Sequence, residues 1–204
     1  MQLRIGDMFD TKFDLYCATT NSELNNRNAL IMGAGSAKSV KLRYPGIEQQ
    51  FGGLIDKQRN KHFRYGLIVV DYEGQLVGAF QTKNSYKYAS DPTLIKQSVE
   101  MLVSWCNANP TKTVALPYPG IGYGGLTISE VEKIIAPLPD TVTVFLTSVR
   151  EGVRFSYNNE DYVVLRKHLG NRWVVYNQEY LMNETEIINY INNPQQVEVA
   201  AYSN

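Results

Sequence analysis

The chain has 204 residues, of which 44% are hydrophobic and 20% are charged, and its 20 lysines and arginines balance 20 aspartates and glutamates. This length suits one full α/β domain with a modest extension and is short for two complete domains. The average hydrophobicity argues against intrinsic disorder, and the neutral net charge argues against general nucleic-acid binding.

The cysteines and the amino terminus limit the functional classes further. Cys17 and Cys106 lie far apart, form no CxxC pattern and are accompanied by only two histidines, so we expect no dedicated zinc site. We also expect no cofactor. Their apolar surroundings predict buried, reduced thiols, which suits the cytoplasm. No charged segment precedes a long apolar stretch, and the longest apolar runs are strand-sized. We therefore expect a soluble cytoplasmic protein with no secretory signal and no membrane span.

Strand and helix patterns alternate over the first three quarters of the chain. Short apolar runs indicate strands, and apolar residues spaced by three or four indicate helices. In chain order the patterns predict a strand at 13–18, helices at 36–44 and about 47–55, strands at 66–72 and 75–82, a helix at 92–108, a strand at 113–116, a helix carrying apolar residues from 131 to 138, and a strand at 141–146.

Turn and capping residues mark several of these boundaries. Gly74 follows Glu73 between two strand patterns, which predicts a hairpin because glycine supplies the positive φ of a tight turn. Asp91 precedes Pro92, which predicts a helix that starts there. Thr127 and Glu130 have the spacing of a capping box.

The alternation predicts an α/β fold with a mixed, largely parallel sheet covered by helices on both faces. Ligands of such sheets bind beyond the carboxyl ends of the strands. Two glycine-rich segments follow strands and precede helices, namely Gly33-Ala34-Gly35-Ser36 and Gly120 to Gly125. Both are predicted at this edge, where amides at a helix amino terminus can bind the two phosphates of a diphosphate. The alternative is that either segment is only a tight turn, although four glycines in the six residues of the second make that alternative harder to sustain.

Two common nucleotide-binding motifs are excluded for the first segment. A Walker A loop would need glycine where Met32 and Ala37 stand, and a dinucleotide fingerprint would need a third glycine where Lys38 stands. Both motifs therefore fail at their defining positions.

The order of the pieces resembles the macro domain family over residues 2 to 148. Ile5-Gly6-Asp7-Met8-Phe9 resembles its opening strand and Gly-Asp motif, and Ala18-Thr19-Thr20-Asn21 stands where the family has Asn-Ala-Ala-Asn. Met32 to Ala37 and Pro119 to Leu126 resemble its two phosphate loops. The Met-Gly-Ala-Gly form is similar to the branch that contains terminal ADP-ribose glycohydrolase and the DarG antitoxin. The resemblance implies a three-layer α/β/α domain that binds ADP-ribose or an ADP-ribosylated substrate.

The resemblance also implies roles for individual residues. Asp7 would contact the adenine amino group, Asn21 would hydrogen-bond the distal ribose, and the adenine would rest against the strand end near Thr147. Phe145 is the nearest aromatic residue, and strand alternation can turn it into the core instead. The implied ligand-binding set is Asp7, Met8, Asn21, Met32, Gly33, Ala34, Gly35, Ser36, Ala37, Gly120, Ile121, Gly122, Tyr123, Gly124 and Thr147.

Lys83 is the candidate catalytic residue, because Thr82-Lys83 matches a Thr-Lys pair whose lysine is catalytic in that branch. The alternative is a solvated lysine at a strand end. A neutral amine can act as a base or form an imine at the anomeric carbon, and burial would lower the lysine pKa toward that form. A bound diphosphate would act in the opposite direction.

One departure from the branch concerns the acidic residue that commonly follows the second loop. Gly124-Gly125-Leu126 provides no carboxylate, and the next one, Glu130, is predicted to cap a helix. Lys83 would then act with another partner, such as water or Tyr123, or turnover would be slow or absent.

Three hypotheses for the function follow. The first is a hydrolase that removes ADP-ribose from a modified protein, a modified DNA or RNA end, or a small derivative such as ADP-ribose 1″-phosphate. The second is a reader that binds ADP-ribose without catalysis, and the third is another nucleotide-binding enzyme that uses ATP.

The remainder of the chain has a different pattern. We predict a macro domain at 1–150, a small β-meander with a helix at 152–193, and a frayed tail at 194–204. The meander would have three antiparallel strands at 153–157, 162–166 and 173–176, with turns at 158–159 and 170–171, followed by a helix at 184–191. Its aromatic residues, Tyr157, Tyr162, Trp173, Tyr176 and Tyr180, are predicted to be structural, with base stacking or a partner surface as alternatives.

Overall fold

A computed structural model describes residues 1–58, 64–176 and 180–194. The chain divides into two compact units. The first consists of Met1–Gln2 and Met8–Phe145, and the second of Leu3–Asp7 and the described residues from Leu146 onward. Nearly all of the predicted frayed tail lies outside the described residues.

The main sheet consists of the strands β1 Gln2–Ile5, β2 Leu15–Thr20, β3 Leu67–Tyr72, β4 Gln75–Gln81, β5 Val114–Pro117 and β6 Val142–Leu146. Their order in the sheet is β1-β6-β5-β2-β4-β3. Strand β2 pairs in parallel with β4 and β5, β5 pairs in parallel with β6, and β3 is antiparallel to β4. This confirms the mixed, largely parallel α/β sheet. The helices of the first unit are α1 Gly35–Arg43, α2 Ile47–Gln58, α3 Pro92–Ala108 and α4 Ile128–Ile135.

Local chemistry fixes several element ends as the sequence predicted. Glu73 and Gly74 have φ values of 51° and 88° in the β3–β4 turn, as a two-residue hairpin turn requires. The Asp91 side chain accepts a hydrogen bond from the Thr93 amide at 2.8 Å and so caps α3. The capping box of Thr127 and Glu130 is present at the start of α4.

The first unit has a hydrophobic core between the sheet and helices α1 and α2. Val40, Ile47, Phe51 and Ile55 bring the apolar faces of both helices into it. Phe145 belongs to the same core, so the inward direction that strand alternation indicated is confirmed. Burial of these side chains is the main stabilisation of the unit, because each contributes on the order of 2 kcal/mol.

The two cysteines are free and buried, as predicted. Burial raises the pKa of both thiols, because a thiolate loses its hydration inside the protein. Neither thiol is therefore a ready nucleophile.

The second unit contains a four-stranded antiparallel sheet and a helix. The strands are β7 Arg154–Tyr157, β8 Glu160–Lys167, β9 Arg172–Tyr176 and β10 Tyr180–Asn183, in the order β10-β9-β8-β7, and the helix is α5 Glu184–Asn192. The prediction of three strands was wrong, because a fourth strand, β10, has only four residues and runs directly into α5. Asn158 and Asn159 form the predicted β7–β8 turn with φ values of 51° and 62°.

Aromatic residues form the core of this small sheet. Tyr162 and Trp173 are buried, and the rings of Phe155 and Tyr162 stack at 5.5 Å. The structural interpretation is confirmed for Tyr162 and Trp173, whereas the side chains of Tyr176 and Tyr180 lie outside the described residues. Every helix in the described ranges is too short or too polar to cross a membrane.

Candidate functional site

The carboxyl ends of the parallel strands β2 and β4 lie side by side. Thr20 is in register with Gln81 at the last pair of the ladder. Beyond that pair, the Thr82 amide donates to the Thr20 carbonyl at 2.9 Å, and the Ser22 amide donates to the Asn84 carbonyl at 3.2 Å. The residues that follow the two strands are therefore held together at this edge of the sheet.

The first glycine segment, residues 33–36, is attached to the end of β2 through Ser36. The Ser36 hydroxyl accepts a hydrogen bond from the Thr19 amide at 3.1 Å and lies 2.8 Å from the Thr19 hydroxyl oxygen. Gly33, Ala34 and Gly35 precede this anchor and are exposed. The segment is thus fixed at one end and open to solvent along its length.

Helix α1 begins in this segment without a side-chain cap. Ala34 is its N-cap residue, and its first turn contains no acidic residue. Among the described residues, no acceptor is hydrogen-bonded to the amides of Gly35, Ser36 and Ala37. Free amides at the positive end of a helix dipole bind anions.

The space next to Gly33 is also open. A methyl group placed on Gly33 would meet no protein atom within 4 Å, and Gly33 does not adopt a positive φ. Neither backbone conformation nor packing therefore requires glycine at this position. A ligand that approaches the backbone closely would require it.

The second glycine segment, residues 120–125, is constrained in a different way. Gly120, Gly122 and Gly125 have φ values of 78°, 64° and 77°, which other residues rarely adopt. A methyl group on Gly120 would lie 2.7 Å from Ile95 Cδ1, and one on Gly124 would lie 2.5 Å from Ser90 Oγ. The fold itself requires glycine in this segment.

In the second segment, the amides without a described acceptor lie in the loop and not at the start of the following helix. Gly125 donates to the Gly122 carbonyl at 3.0 Å, whereas no described acceptor is bonded to the amides of Gly122 and Tyr123. The following helix, α4, is closed by Glu130, whose carboxylate accepts from the Thr127 amide at 2.7 Å. The sequence predicts free helix amides next to both glycine segments. Of the two following helices, only α1 has them, because α4 is capped.

Lys83 connects the end of β4 to this second segment. Its Nζ donates to the Tyr88 carbonyl at 2.9 Å and to the Tyr123 carbonyl at 3.0 Å. Desolvation lowers the pKa of Lys83 from its ordinary value, in the direction that the sequence argument expected. Across the described ranges, no carboxylate lies within ion-pair distance of its amine.

Comparison with solved structures shows which known fold the chain adopts. The chain is similar to the macrodomain of Mycobacterium tuberculosis DarG, with 23% identity, a TM-score of 0.57, and coverage of 71% of this chain and 96% of that one. The macrodomain of Thermus aquaticus DarG gives 21% identity and a TM-score of 0.58, with coverage of 71% and 95%. Thermosipho africanus DarTG in complex with ADP-ribose gives 22% identity and a TM-score of 0.59, with coverage of 71% of this chain and 41% of that one. The fold is that of a macro domain.

The sequence comparisons gave no further relatives. No protein-family model matches the chain, and a search of the curated proteins gave no match. The macro domain fold is thus evident from three-dimensional similarity and from the short motifs quoted above.

Asn21 lies at the edge of the sheet where β2 ends, and its side chain is partly engaged. Its Nδ2 donates to the Ile31 carbonyl and its Oδ1 accepts from the Glu23 amide, both at 2.8 Å. One N–H and one lone pair of the amide remain for a ligand. The assignment of Asn21 to the ribose stays a prediction.

Other predicted ligand residues differ in what they can offer. Met8, Met32 and Ala37 are buried in the hydrophobic core, so only their backbone groups are able to contact a ligand. Asp7 and Thr147 belong to the second unit, and both are exposed. Within the described ranges, no three histidine, cysteine, aspartate or glutamate side chains form a metal site.

Two supporting residues were missed in the sequence. The Tyr65 hydroxyl donates to the Asn21 carbonyl at 2.9 Å and is hydrogen-bonded to the Thr20 hydroxyl, which fixes the end of β2. The Ser90 amide donates to the Gly124 carbonyl at 2.8 Å, below the second glycine segment. Neither residue lies in a motif, so only the tertiary contacts reveal these roles.

Proposed function

We propose that this macro domain binds ADP-ribose through a diphosphate held between the amides of the two glycine segments. The observation that carries the proposal is the uncapped amino terminus of α1, with open space at Gly33. The phosphates of ADP-ribose are negatively charged, and the first three amides of α1 supply donors and a favourable dipole. The amides of Gly122 and Tyr123 supply donors from the second segment.

The remaining contacts of the proposal come from the macro domain resemblance. Asp7 accepts a hydrogen bond from the adenine amino group, and Thr147 lies against the adenine. Asn21 uses its remaining donor and acceptor for the distal ribose. The similar Thermosipho africanus DarTG was solved in complex with ADP-ribose, which supports this choice of ligand.

We further propose that the protein hydrolyses ADP-ribosyl groups with Lys83 as the catalytic residue. Its desolvated amine is more readily neutral than a solvated lysine. A neutral amine either takes a proton from the water that attacks the anomeric carbon, or itself displaces the carrier from that carbon. In the second route the sugar ring then opens to an imine, which water hydrolyses to ADP-ribose and the free amine. In the first route, a C–O bond to water forms as the bond to the carrier breaks, and the carrier leaves with a proton.

Binding without hydrolysis is the second candidate function. It is favoured by the absence of a carboxylate directly after Gly124-Gly125, and by the engagement of Glu130 with Thr127 in the α4 cap. A site that lacks an acid to assist the leaving group would bind the product-like ADP-ribose and turn over slowly.

Calorimetric titration with ADP-ribose, ATP and NAD tests the binding proposal. We expect ADP-ribose to bind in the micromolar range or tighter, and ATP and NAD to bind much more weakly. Equal affinity for ATP and ADP-ribose would favour a general nucleotide site and contradict the proposal.

Hydrolysis requires a separate assay on several carriers. ADP-ribosylated protein, ADP-ribosylated single-stranded DNA and ADP-ribose 1″-phosphate should each be incubated with the protein, and free ADP-ribose should be quantified. Release from one class identifies the carrier, whereas tight binding with no release from any class leaves the reader as the function.

A further inference from the structure

Asn192, the last residue of α5, is hydrogen-bonded to the backbone of Ile5 in β1. Its Oδ1 accepts from the Ile5 amide at 2.8 Å, and its Nδ2 donates to the Ile5 carbonyl at 2.9 Å. The side-chain amide thus pairs with one residue of β1 as a neighbouring strand would. Ile5 is buried, so these groups would be costly to leave without partners.

Asn192 is itself held in place by the small sheet of the second unit. Tyr190, two residues earlier, packs on Tyr157 of β7 with ring centroids 4.3 Å apart. Ile187 and Ile191 are buried, and the capping box at Asn183 fixes the start of α5. The end of α5 is therefore held in position by packing against the small sheet.

The residues after Ile5 lead directly to Asp7. Gly6 has a φ of 149°, a conformation that L residues rarely adopt, and its amide donates to the Leu146 carbonyl at 2.8 Å. Leu146 directly precedes Thr147. The backbone that leads into Asp7 is thus held at Ile5 by Asn192 and at Gly6 by Leu146.

We propose that Asn192 is a positioning residue for Asp7, and that the carboxy-terminal sheet and helix serve to orient the adenine-binding part of the ADP-ribose site. The inference depends on the proposed function, because it assigns Asp7 to the adenine amino group. The carboxy-terminal sheet and helix lie outside the part of the chain that resembles macro domains, and this proposal gives them a role.

The test compares ADP-ribose with inosine diphosphate ribose, in which an oxygen replaces the adenine amino group. A hydrogen bond to a carboxylate contributes on the order of tenfold or more in affinity, so the unaltered protein should prefer ADP-ribose by about that factor. In Asn192→Ala the preference should fall to about threefold or less, while the affinity for inosine diphosphate ribose changes by less than about twofold. The matched control is Asn193→Ala, which alters the exposed neighbouring residue.

The outcomes separate this inference from the proposed function. If the unaltered protein binds neither ligand, the proposed function is wrong. If it prefers ADP-ribose and Asn192→Ala retains the full preference, Asn192 does not position Asp7.

A double-mutant cycle provides a second measurement. In an Asp7→Ala background the preference should already be absent, and adding Asn192→Ala should leave it unchanged. A further loss of preference in the double variant would contradict action through Asp7. If Asn192→Ala folds poorly, Asn192→Asp keeps the oxygen that accepts from the Ile5 amide and serves for the same comparison.

Discussion

Gly33 and Gly120 lie in the two glycine segments of the candidate site, yet their surroundings differ. A methyl group on Gly33 would meet no protein atom within 4 Å, whereas one on Gly120 would lie 2.7 Å from Ile95 Cδ1 and 2.9 Å from Leu126 Cδ1. Gly120 also has a positive φ, and Gly33 does not. The first segment is therefore open for a ligand, and the second is glycine-rich because the backbone and its packing demand it.

The helices that follow the segments show the same difference. Ala34 leaves the amino terminus of α1 without a side-chain cap, and Thr127 with Glu130 closes that of α4. We infer that the first segment provides most of the phosphate binding. We infer that the second segment contributes two loop amides, and its Tyr123 carbonyl accepts a hydrogen bond from the Lys83 amine.

The largest expected effect comes from Lys83→Ala, which separates chemistry from binding. Loss of an acid–base group lowers turnover by about 100-fold to 10,000-fold. We expect hydrolysis to fall by that amount while the calorimetric affinity for ADP-ribose changes by less than about tenfold. Lys87→Ala, which removes an exposed lysine four residues away, is the control and should retain full activity. Full hydrolysis in Lys83→Ala would exclude the lysine mechanism.

Gly33→Val tests the open side of the comparison. The valine side chain would occupy the phosphate space without clashing with the protein, so we expect ADP-ribose affinity to fall by about 100-fold or more, since a displaced diphosphate loses several hydrogen bonds. The melting temperature should stay within about 2 °C of that of the unaltered protein. Gly53→Val is the matched control, because Gly53 in α2 also has open space and no positive φ. Normal binding by Gly33→Val would remove the first segment from the site.

The pH dependence of hydrolysis tests the state of the Lys83 amine. The neutral amine is the reactive form, so the rate should rise by about tenfold per pH unit below the Lys83 pKa and level off above it. Because desolvation lowers this pKa, the plateau should begin below 10.5, the ordinary value. A rate measured from pH 6 to 10 that falls as the pH rises would indicate that the ammonium form is needed instead.

Gly120→Ala tests whether backbone conformation and packing require glycine in the second segment. The added methyl group meets Ile95 and Leu126, and the positive φ disfavours alanine, so the free energy of unfolding should drop by about 2–4 kcal/mol. Denaturant unfolding measures this loss, and binding should weaken together with stability. An unchanged denaturant midpoint of unfolding would show that the segment accommodates the methyl group despite its close packing.

The smallest effect is expected for Thr127→Ala at the capped start of α4. Loss of an N-cap side chain costs about 1 kcal/mol of stability. ADP-ribose affinity should remain within about twofold of that of the unaltered protein, because this helix end is not used for phosphate. A large loss of affinity, measured by calorimetry, would mean that α4 binds the ligand after all.

The sequence predicts features that depend on neighbouring residues. Asp91 with Pro92 and Thr127 with Glu130 define helix starts through contacts within four residues, and the structure has both. The four residues Tyr180–Asn183 are too few to show a strand pattern, and the fourth strand of the small sheet was missed.

The sequence does not predict features that depend on tertiary contacts. It places Gly33 and Gly122 alike in phosphate-binding segments, whereas the structure gives Gly122 a φ of 64°, so that valine there would strain the backbone as well as fill the site. The pairing of Asn192 with Ile5 joins residues 187 positions apart, and no local pattern indicates it. The Lys83 contact with the Tyr123 carbonyl likewise depends on the folded sheet edge.

A titration of isotope-labelled protein with ADP-ribose, followed through backbone amide resonances, tests the central claim most directly. We expect the largest shifts at the amides of Gly35, Ser36, Gly122 and Tyr123, and no shift at Gly53. Saturable shifts confined to other parts of the chain, or no shifts at millimolar ADP-ribose, would contradict the central claim.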